Sequence, residues 1–494
     1  TLNLNRSAHE TFASLDAQYQ TALTAYSDGV NHYVRSLRPN HQRFEYQVEL
    51  EPRFDGDSVD GGTFWTPQIS LAVLKMFQFV MSGNLESELL RFYLATNIKL
   101  NITRVMELVP MARYDAPTTW NEENLYIPPP LVPDRIRAEV EKFAQDKLNA
   151  EALQRFFGVT VEEPTAASTG GSGGAGTASP KKPASLASLL KMWEPTHHWL
   201  KHGPSFAENT FGTVNWAAYG GGELFTETTM ASSFGYPFLH QAPAILYLNH
   251  LRQLNALGDE MPVGAEATGL SIPGVPGLLT GRTQLYSWSA APMQSDVMDM
   301  YVLKVSAGSD GQSYEYQGAA MDYEVRTEEI KVRNGKTRRV TIRDSVHGPV
   351  ISDSWETFTD VNERPNSVDG MRLALRWTGF DNAKDTTVAF LMDAWRQPGY
   401  SAFESVAYKF AVPAMNMFYG DRNGDPAGGY VAVGLIPNRR AGHTGLLPVN
   451  GNDNTFTWNG YKDVANINPD LYASLVINTG NRVVPPGFDF DIGY

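Results

Sequence analysis

A chain of 494 residues with 42% hydrophobic and 19% charged content is long and apolar enough to bury a large core and to hold two or three domains. Its formal net charge of -14 argues against a nucleic-acid partner, which would need a basic patch. The absence of cysteine excludes disulfides, a thiolate metal site and a cysteine nucleophile, and it suits an export-tolerant protein. The most apolar stretch, 69–81, contains Lys75 and Gln78 and is too short for a bilayer, so no membrane span is expected.

From Ala8 to Leu37, apolar side chains recur at Phe12, Leu15, Tyr19, Leu23, Tyr26, Val30 and Val34, steps that predict one amphipathic helix ending before Pro39. The run from Pro67 to Leu100 is apolar on more than one side and predicts a buried helix pair with its break near Gly83. A third helix, surface-lying, is expected over 133–157, where charged and apolar residues alternate. Residues 165–180 are Ala, Ser, Thr, Gly and Pro around Gly170–Gly174, a composition that cannot offset the entropy of ordering and reads as a linker. Beyond residue 213 the helical period gives way to β-rich runs at 302–305, 314–316, 340–342, 372–377 and 430–435. Turn residues such as Asn334-Gly335 lie between them, and a helical stretch returns over 403–410.

Several phrases carry a resemblance. The segment Phe211-Gly212-Thr213-Val214-Asn215-Trp216 is followed by Leu270-Ser-Ile-Pro-Gly-Val-Pro-Gly277, Trp288, and Asp296-Val-Met-Asp299 with Tyr301. Then come Val346-His-Gly-Pro-Val-Ile351, Leu373-Ala-Leu-Arg-Trp-Thr-Gly379, Asn416, Asp421-Arg-Asn-Gly424, Pro437-Asn-Arg439 and Leu446-Leu-Pro-Val449. In this order they resemble the penicillin acylase family, N-terminal-nucleophile amidohydrolases that include the acyl-homoserine lactone acylases. Upstream, 23–33, Trp65-Thr-Pro67, Ser82-Gly-Asn84 and Glu88-Leu-Leu-Arg91 resemble the helical part of the family's A chain. The likeness covers nearly the whole chain except the linker. It implies an α+β fold with αββα layered sheets: an A-chain-like helical region over 1–158, a spacer over 159–212 and a B-chain-like β-rich core over 213–494. Family members carry more sequence at both ends, so this chain is expected to be cut at each. The resemblance also implies a periplasmic or extracellular location and a small-molecule acyl amide as partner.

A hydroxyl is a poor nucleophile without a base to take its proton. A terminal Thr carries one in its own α-amine, which titrates at about 7.7–8.0 when unperturbed. The resemblance therefore implies that Thr213 becomes the nucleophile once the Gly212–Thr213 bond is broken by self-cleavage. Glycine suits that step, since no Cβ blocks approach to its carbonyl. The alternative is a strand-start threonine in an uncut chain. By resemblance Asn416 supplies an oxyanion donor and Arg439 holds the catalytic network. The acyl pocket falls at Leu279, Thr280 and Ala290, with Phe79 and Met81 from the helices. Glu88, Asp296 and Asp299 are the implied Ca²⁺ ligands, hard oxygens from separate segments that would join the A- and B-chain-like parts.

Departures stand beside these matches. Counting from Trp288, the backbone N–H that should donate to the oxyanion falls at Pro292, and proline has none. Losing one such donor costs roughly 3–4 kcal/mol of transition-state stabilisation. Gly281-Arg-Thr283 replaces Gly-His-Asn, no Asn-Asp-Pro-His block occurs in 232–239, and Val214 replaces a common Asn. Two readings follow: an acylase, or a catalytically inactive relative serving as a structural or assembly subunit.

Overall fold

A computed structural model describes residues 2–36, 65–82, 212–220, 223–231, 246–254, 266–293, 295–330, 336–353, 371–421, 428–467 and 475–478, with single positions between 85 and 91; for 212–231 and 475–478 it describes the backbone. The helix expected over 133–157 and the spacer up to residue 211 lie outside these residues.

The first predicted helix is two. Helix α1 (Leu4–Ser14) and α2 (Ala17–Ser36) are separated at Leu15, which is extended. The Gln20 side-chain amide donates to the carbonyls of Phe12 (2.9 Å) and Leu15 (3.0 Å), adding to the Leu15 N–H that already bonds the Phe12 carbonyl at the end of α1. Leu15, Tyr19 and Leu23 are all buried, so the apolar stripe runs on through the break. Helix α1 is moored by its polar side to Asn382: Thr11 Oγ1 donates to its Oδ1 at 3.2 Å, Ser14 Oγ to its carbonyl at 3.0 Å, and its Nδ2 donates to Glu10 at 2.7 Å.

Helix α3 (Pro67–Met81) begins where the sequence dictates. The Thr66 hydroxyl accepts from Ile69 N, and Pro67 occupies the first turn, where its missing N–H costs nothing. Just before it, Trp65 exchanges two hydrogen bonds with buried Asn31 of α2: its N–H donates to Asn31 Oδ1 at 2.7 Å, and Asn31 Nδ2 donates to its carbonyl at 2.8 Å. Positions 85, 87, 88 and 91 are helical again, as the predicted break near Gly83 requires.

The strands, in chain order, begin with β1 (Gly212–Gly220), β2 (Glu223–Ala231), β3 (Tyr247–Arg252), β4 (Glu266–Ser271), β5 (Thr280–Arg282), β6 (Tyr286–Pro292) and β7 (Met298–Lys304). They continue with β8 (Ser313–Tyr316), β9 (Ala319–Asp322), β10 (Glu324–Ile330), β11 (Arg338–Ser345), β12 (Gly348–Pro349) and β13 (Met371–Trp377). Helices α4 (Thr387–Asp393) and α5 (Tyr400–Ala407) then precede β14 (Met415–Asp421), β15 (Gly428–Val433), β16 (Val449–Asn450) and β17 (Leu475–Asn478). All five predicted strand runs fall on strands (β7, β8, β11, β13 and β15), and α5 covers most of the predicted 403–410 helix.

The central sheet runs β15-β14-β6-β5-β4-β3, and a three-stranded sheet runs β13-β7-β16. Because strand side chains alternate, β14 serves two cores at once. Met415, Met417 and Tyr419 pack with Phe390 and Phe403 of the two short helices. Phe418, from the other face, packs with Met300, Leu375 and Trp377 of the three-stranded sheet. The result is an α–β–β stack among the described residues, with α3 spanning its side. There Lys75 is buried against Asp385 at 2.7 Å and donates to the Gly379 carbonyl at 2.7 Å, while Gln78 reaches the same carboxylate at 3.1 Å.

Candidate active site

Gly212 and Thr213 open β1, where they pair with Ala231 and Met230 of β2. Strand β17 pairs with β1 only from Asn215 to Ala218, so among the described residues the backbone at 212–214 has a strand on one side alone. Strand β1 comes within 8 Å, Cα to Cα, of both β6 and β14. The two strands that carry Pro292 and Asn416 are thus neighbours of the strand that carries Thr213.

Asn416 is fully buried in β14, opposite Ala291 of β6 and Ala432 of β15. Its Oδ1 accepts a hydrogen bond from the Tyr430 hydroxyl at 2.5 Å, and its Nδ2 donates to the Pro292 carbonyl at 3.5 Å. Pro292 is the last residue of β6, opposite Met415, so the proline at the expected donor position presents an acceptor to Asn416.

Arg439 lies at the foot of β7, where it is held rather than surface-exposed. Its Nε bonds Asp299 at 2.8 Å and its Nη2 bonds Asp296 at 2.8 Å. Asp299 also accepts from the Trp458 indole at 2.5 Å, and His443 Nε2 stands 3.2 Å away while its Nδ1 bonds the Phe456 carbonyl at 2.7 Å. Glu88 reaches the same place from the helical region and accepts from Met300 N at 3.2 Å. Burial, and then the charges of Asp299 and Asp296, push the Glu88 carboxyl well above its ordinary range. Burial likewise raises Asp296, whereas for Asp299 burial is outweighed by Arg439 and His443, which hold it below the usual range. Glu88 Oε2 is buried with no hydrogen-bond partner among the described residues. The three predicted carboxylates therefore meet, although among the described residues no three His, Asp or Glu side chains are gathered closely enough to hold a metal ion. Gly445, at φ +77°, closes over this cluster: a Cβ there would stand 2.8 Å from the Arg439 guanidinium carbon and overlap Asp296.

The predicted acyl-pocket residues divide. Leu279, Ala290 and Met81 share one buried core with Leu71 and Leu74. Thr280 is also buried, its hydroxyl donating to the Trp288 carbonyl at 2.9 Å. Phe79 belongs elsewhere. It packs edge-on to Trp377, ring centroids 5.3 Å apart, in the core on the far face of β14. On α3 it is two residues from Met81, and positions so spaced point to different sides of a helix. The loop entering this region turns at Gly277 (φ +102°), where a Cβ would collide with the Leu391 carbonyl. Tyr430, His443 and Trp458 were not singled out by sequence.

Faced, mainly antiparallel sheets with helices stacked on them make this an α+β protein of the layered N-terminal-nucleophile hydrolase type. The chain belongs to the penicillin amidase family, whose model matches residues 1–494. It is similar to an acyl-homoserine lactone acylase QuiP of Pseudomonas fluorescens (strain Pf0-1), 22% identical over 99% of this chain and 49% of that protein. It is also similar to penicillin G acylase of Escherichia coli, 30% identical over 42% of this chain and 22% of that protein. The chain thus spans about half the length of the curated relatives it matches, or less. A thermostable penicillin G acylase structure from Alcaligenes faecalis is similar at 19% identity and a TM-score of 0.39, covering 56% of this chain and 45% of that one. No helix among the described residues is long and apolar enough to cross a membrane.

Proposed function

We propose that the chain is an amidohydrolase that removes an acyl group from a small amide, of the penicillin or acyl-homoserine lactone type, with Thr213 as a terminal nucleophile. The supporting observation is the buried Asn416 amide on a strand that runs beside β1. In this reading the Thr213 hydroxyl first attacks the Gly212 carbonyl, the Gly212–Thr213 C–N bond breaks to leave an ester and a free α-amine, and water hydrolyses that ester to release the Gly212 carboxylate and restore the Thr213 hydroxyl. The amine then takes the hydroxyl proton as Thr213 attacks a substrate carbonyl. Asn416 Nδ2 bonds the oxyanion, and the proton passes to the departing amine as the substrate C–N bond breaks. Water releases the acyl group from the resulting ester. Glu88, Asp296 and Asp299 are the residues that would hold Ca²⁺ as a charge-neutralising link between the helical and β-rich parts with no chemical step, but they would have to draw together first, since as they stand they are not gathered closely enough for the ion. The partnerless Glu88 Oε2 supports that assignment, while Arg439 already satisfies two of the carboxylates.

The second reading, an inactive structural relative, is favoured by Pro292, which removes one donor and turns a carbonyl towards Asn416. Intact mass and N-terminal sequencing separate the two, a new terminus at Thr213 supporting the enzyme. Thr213→Ala should remain uncut and turn over no acyl amide; turnover equal to wild type would remove Thr213 from the mechanism.

A further inference from the structure

The Asn416 amide can aim either its oxygen or its nitrogen at any one spot, and an oxyanion is served by the nitrogen alone. Two neighbours decide the orientation. Phe418 pairs with Tyr430 across β14 and β15, and Asn416 pairs with Ala432. Tyr430 is therefore the diagonal neighbour of Asn416 on the same face, within reach of a long side chain. Its hydroxyl meets Oδ1 at 2.5 Å. On the other side Nδ2 meets the Pro292 carbonyl at 3.5 Å. Turning the amide over would set Oδ1 against that carbonyl, acceptor to acceptor, and the hydroxyl would lose its acceptor.

We infer that Tyr430 is a positioning residue for the acyl-transfer site: by donating to Asn416 Oδ1 it holds the amide with its N–H₂ facing β6, ready for the oxyanion. The inference rests on the reading of Asn416 given above. The Nδ2 contact with Pro292 is at the long limit for a hydrogen bond, and an NH₂ group has two hydrogens, so donor capacity is left over. The Tyr430 ring is itself fixed, buried and edge-on to Phe418 with centroids 5.4 Å apart. The Tyr400 hydroxyl donates to the Tyr430 carbonyl at 3.3 Å. Burial pushes the Tyr430 hydroxyl above its ordinary range, so it stays protonated and remains a donor at any working pH.

This role makes demands that simple packing does not. In the processed full chain, Tyr430→Phe should lower kcat for an acyl amide about ten- to a hundredfold, below the loss of roughly a hundred- to a thousandfold for removing an oxyanion donor outright. KM should stay near wild type, since the contact strengthens only as charge develops. In an Asn416→Ala background the same change should cost nothing further, because nothing is left to orient. Tyr419→Phe removes another buried tyrosine hydroxyl, bonded to Asp421 at 2.9 Å, and should leave kcat alone. Melting temperatures of all variants report folding separately. An unchanged kcat in Tyr430→Phe, or an equal loss in both backgrounds, overturns the inference. An unchanged kcat in Asn416→Ala overturns the reading beneath it, and a wild-type chain that turns over no acyl amide removes both.

Discussion

Replacing Lys75 by Met should be among the most costly single changes in the helical region. The Lys75 ammonium and the Asp385 carboxylate are 1% and 2% exposed and 2.7 Å apart. At an effective dielectric of about 20 their attraction amounts to roughly 6 kcal/mol, against which each charge has lost its hydration. Removal of the ammonium leaves the carboxylate with the Gln78 amide at 3.1 Å and the Thr387 N–H at 3.2 Å, and strips the Gly379 carbonyl of its donor. A buried charge deprived of its partner costs about 3–5 kcal/mol, and that is the expected loss for Lys75→Met. The double variant Lys75→Met/Asp385→Leu discards both charges and should recover most of it, a coupling of at least about 2 kcal/mol. Urea unfolding of the two single variants, the double and wild type gives the cycle. A single-variant loss below about 1 kcal/mol, or a double variant as costly as the two singles together, would refute the argument that the pair is dry.

Three further outcomes are expected. His347 stacks on Tyr301 with centroids 4.1 Å apart, bonds the Gly451 carbonyl, and is held by burial at a pKa of about 4 against an ordinary 6.5. The unfolded chain thus binds the proton first as pH falls, so stability is complete above pH 6.5 and declines towards pH 4 by up to about 3 kcal/mol. Unfolding of His347→Phe at several pH values should be flatter over that window; a profile as steep as wild type counts against it. Gly445→Ala should cost about 1–3 kcal/mol, from the left-handed backbone and the displaced Asp296–Arg439 pair, read as a lowered unfolding midpoint that Gly308→Ala, with open space around it, shows less. If Glu88 holds Ca²⁺, adding the ion to chelator-treated protein should raise the melting temperature and Glu88→Gln should abolish the rise, whereas equal rises in both chains would place the ion elsewhere.

Local pattern carried much of this architecture. The 3.6-residue period located α2 and α3, Thr66-Pro67 announced where α3 starts, and β-branched and aromatic runs marked β7, β11, β13 and β15. What misled was a property of the pattern itself. Leu15 keeps the apolar stripe intact while its backbone leaves the helix, and the amide that caps the break comes from Gln20. Phe79 and Met81 are both apolar residues of α3, and only the packing assigns them to separate cores. At the candidate site, Asn416 and Arg439 were named through resemblance, but their partners arrive from a distance: Trp458 is 159 residues from Asp299. Tyr430 was within reach of inference. Asp421-Arg-Asn-Gly424 suggests a turn between two strands, and folding one back on the other brings Tyr430 near Asn416 across the 14 residues that separate them.

The attachment of α1 to Asn382 has a consequence of its own. The first helix grips the β-rich part through Asn382, with Ser7, Thr11, Ser14 and Glu10 as the fingers, and through Arg6 paired with Glu324 of β10. A grip of that kind reads shape and hydrogen-bond polarity together, so it accepts one register of helix and rejects a slide by even one residue. The chain's opening turns therefore find their seat by address, whatever the length of polypeptide that runs between helix and seat.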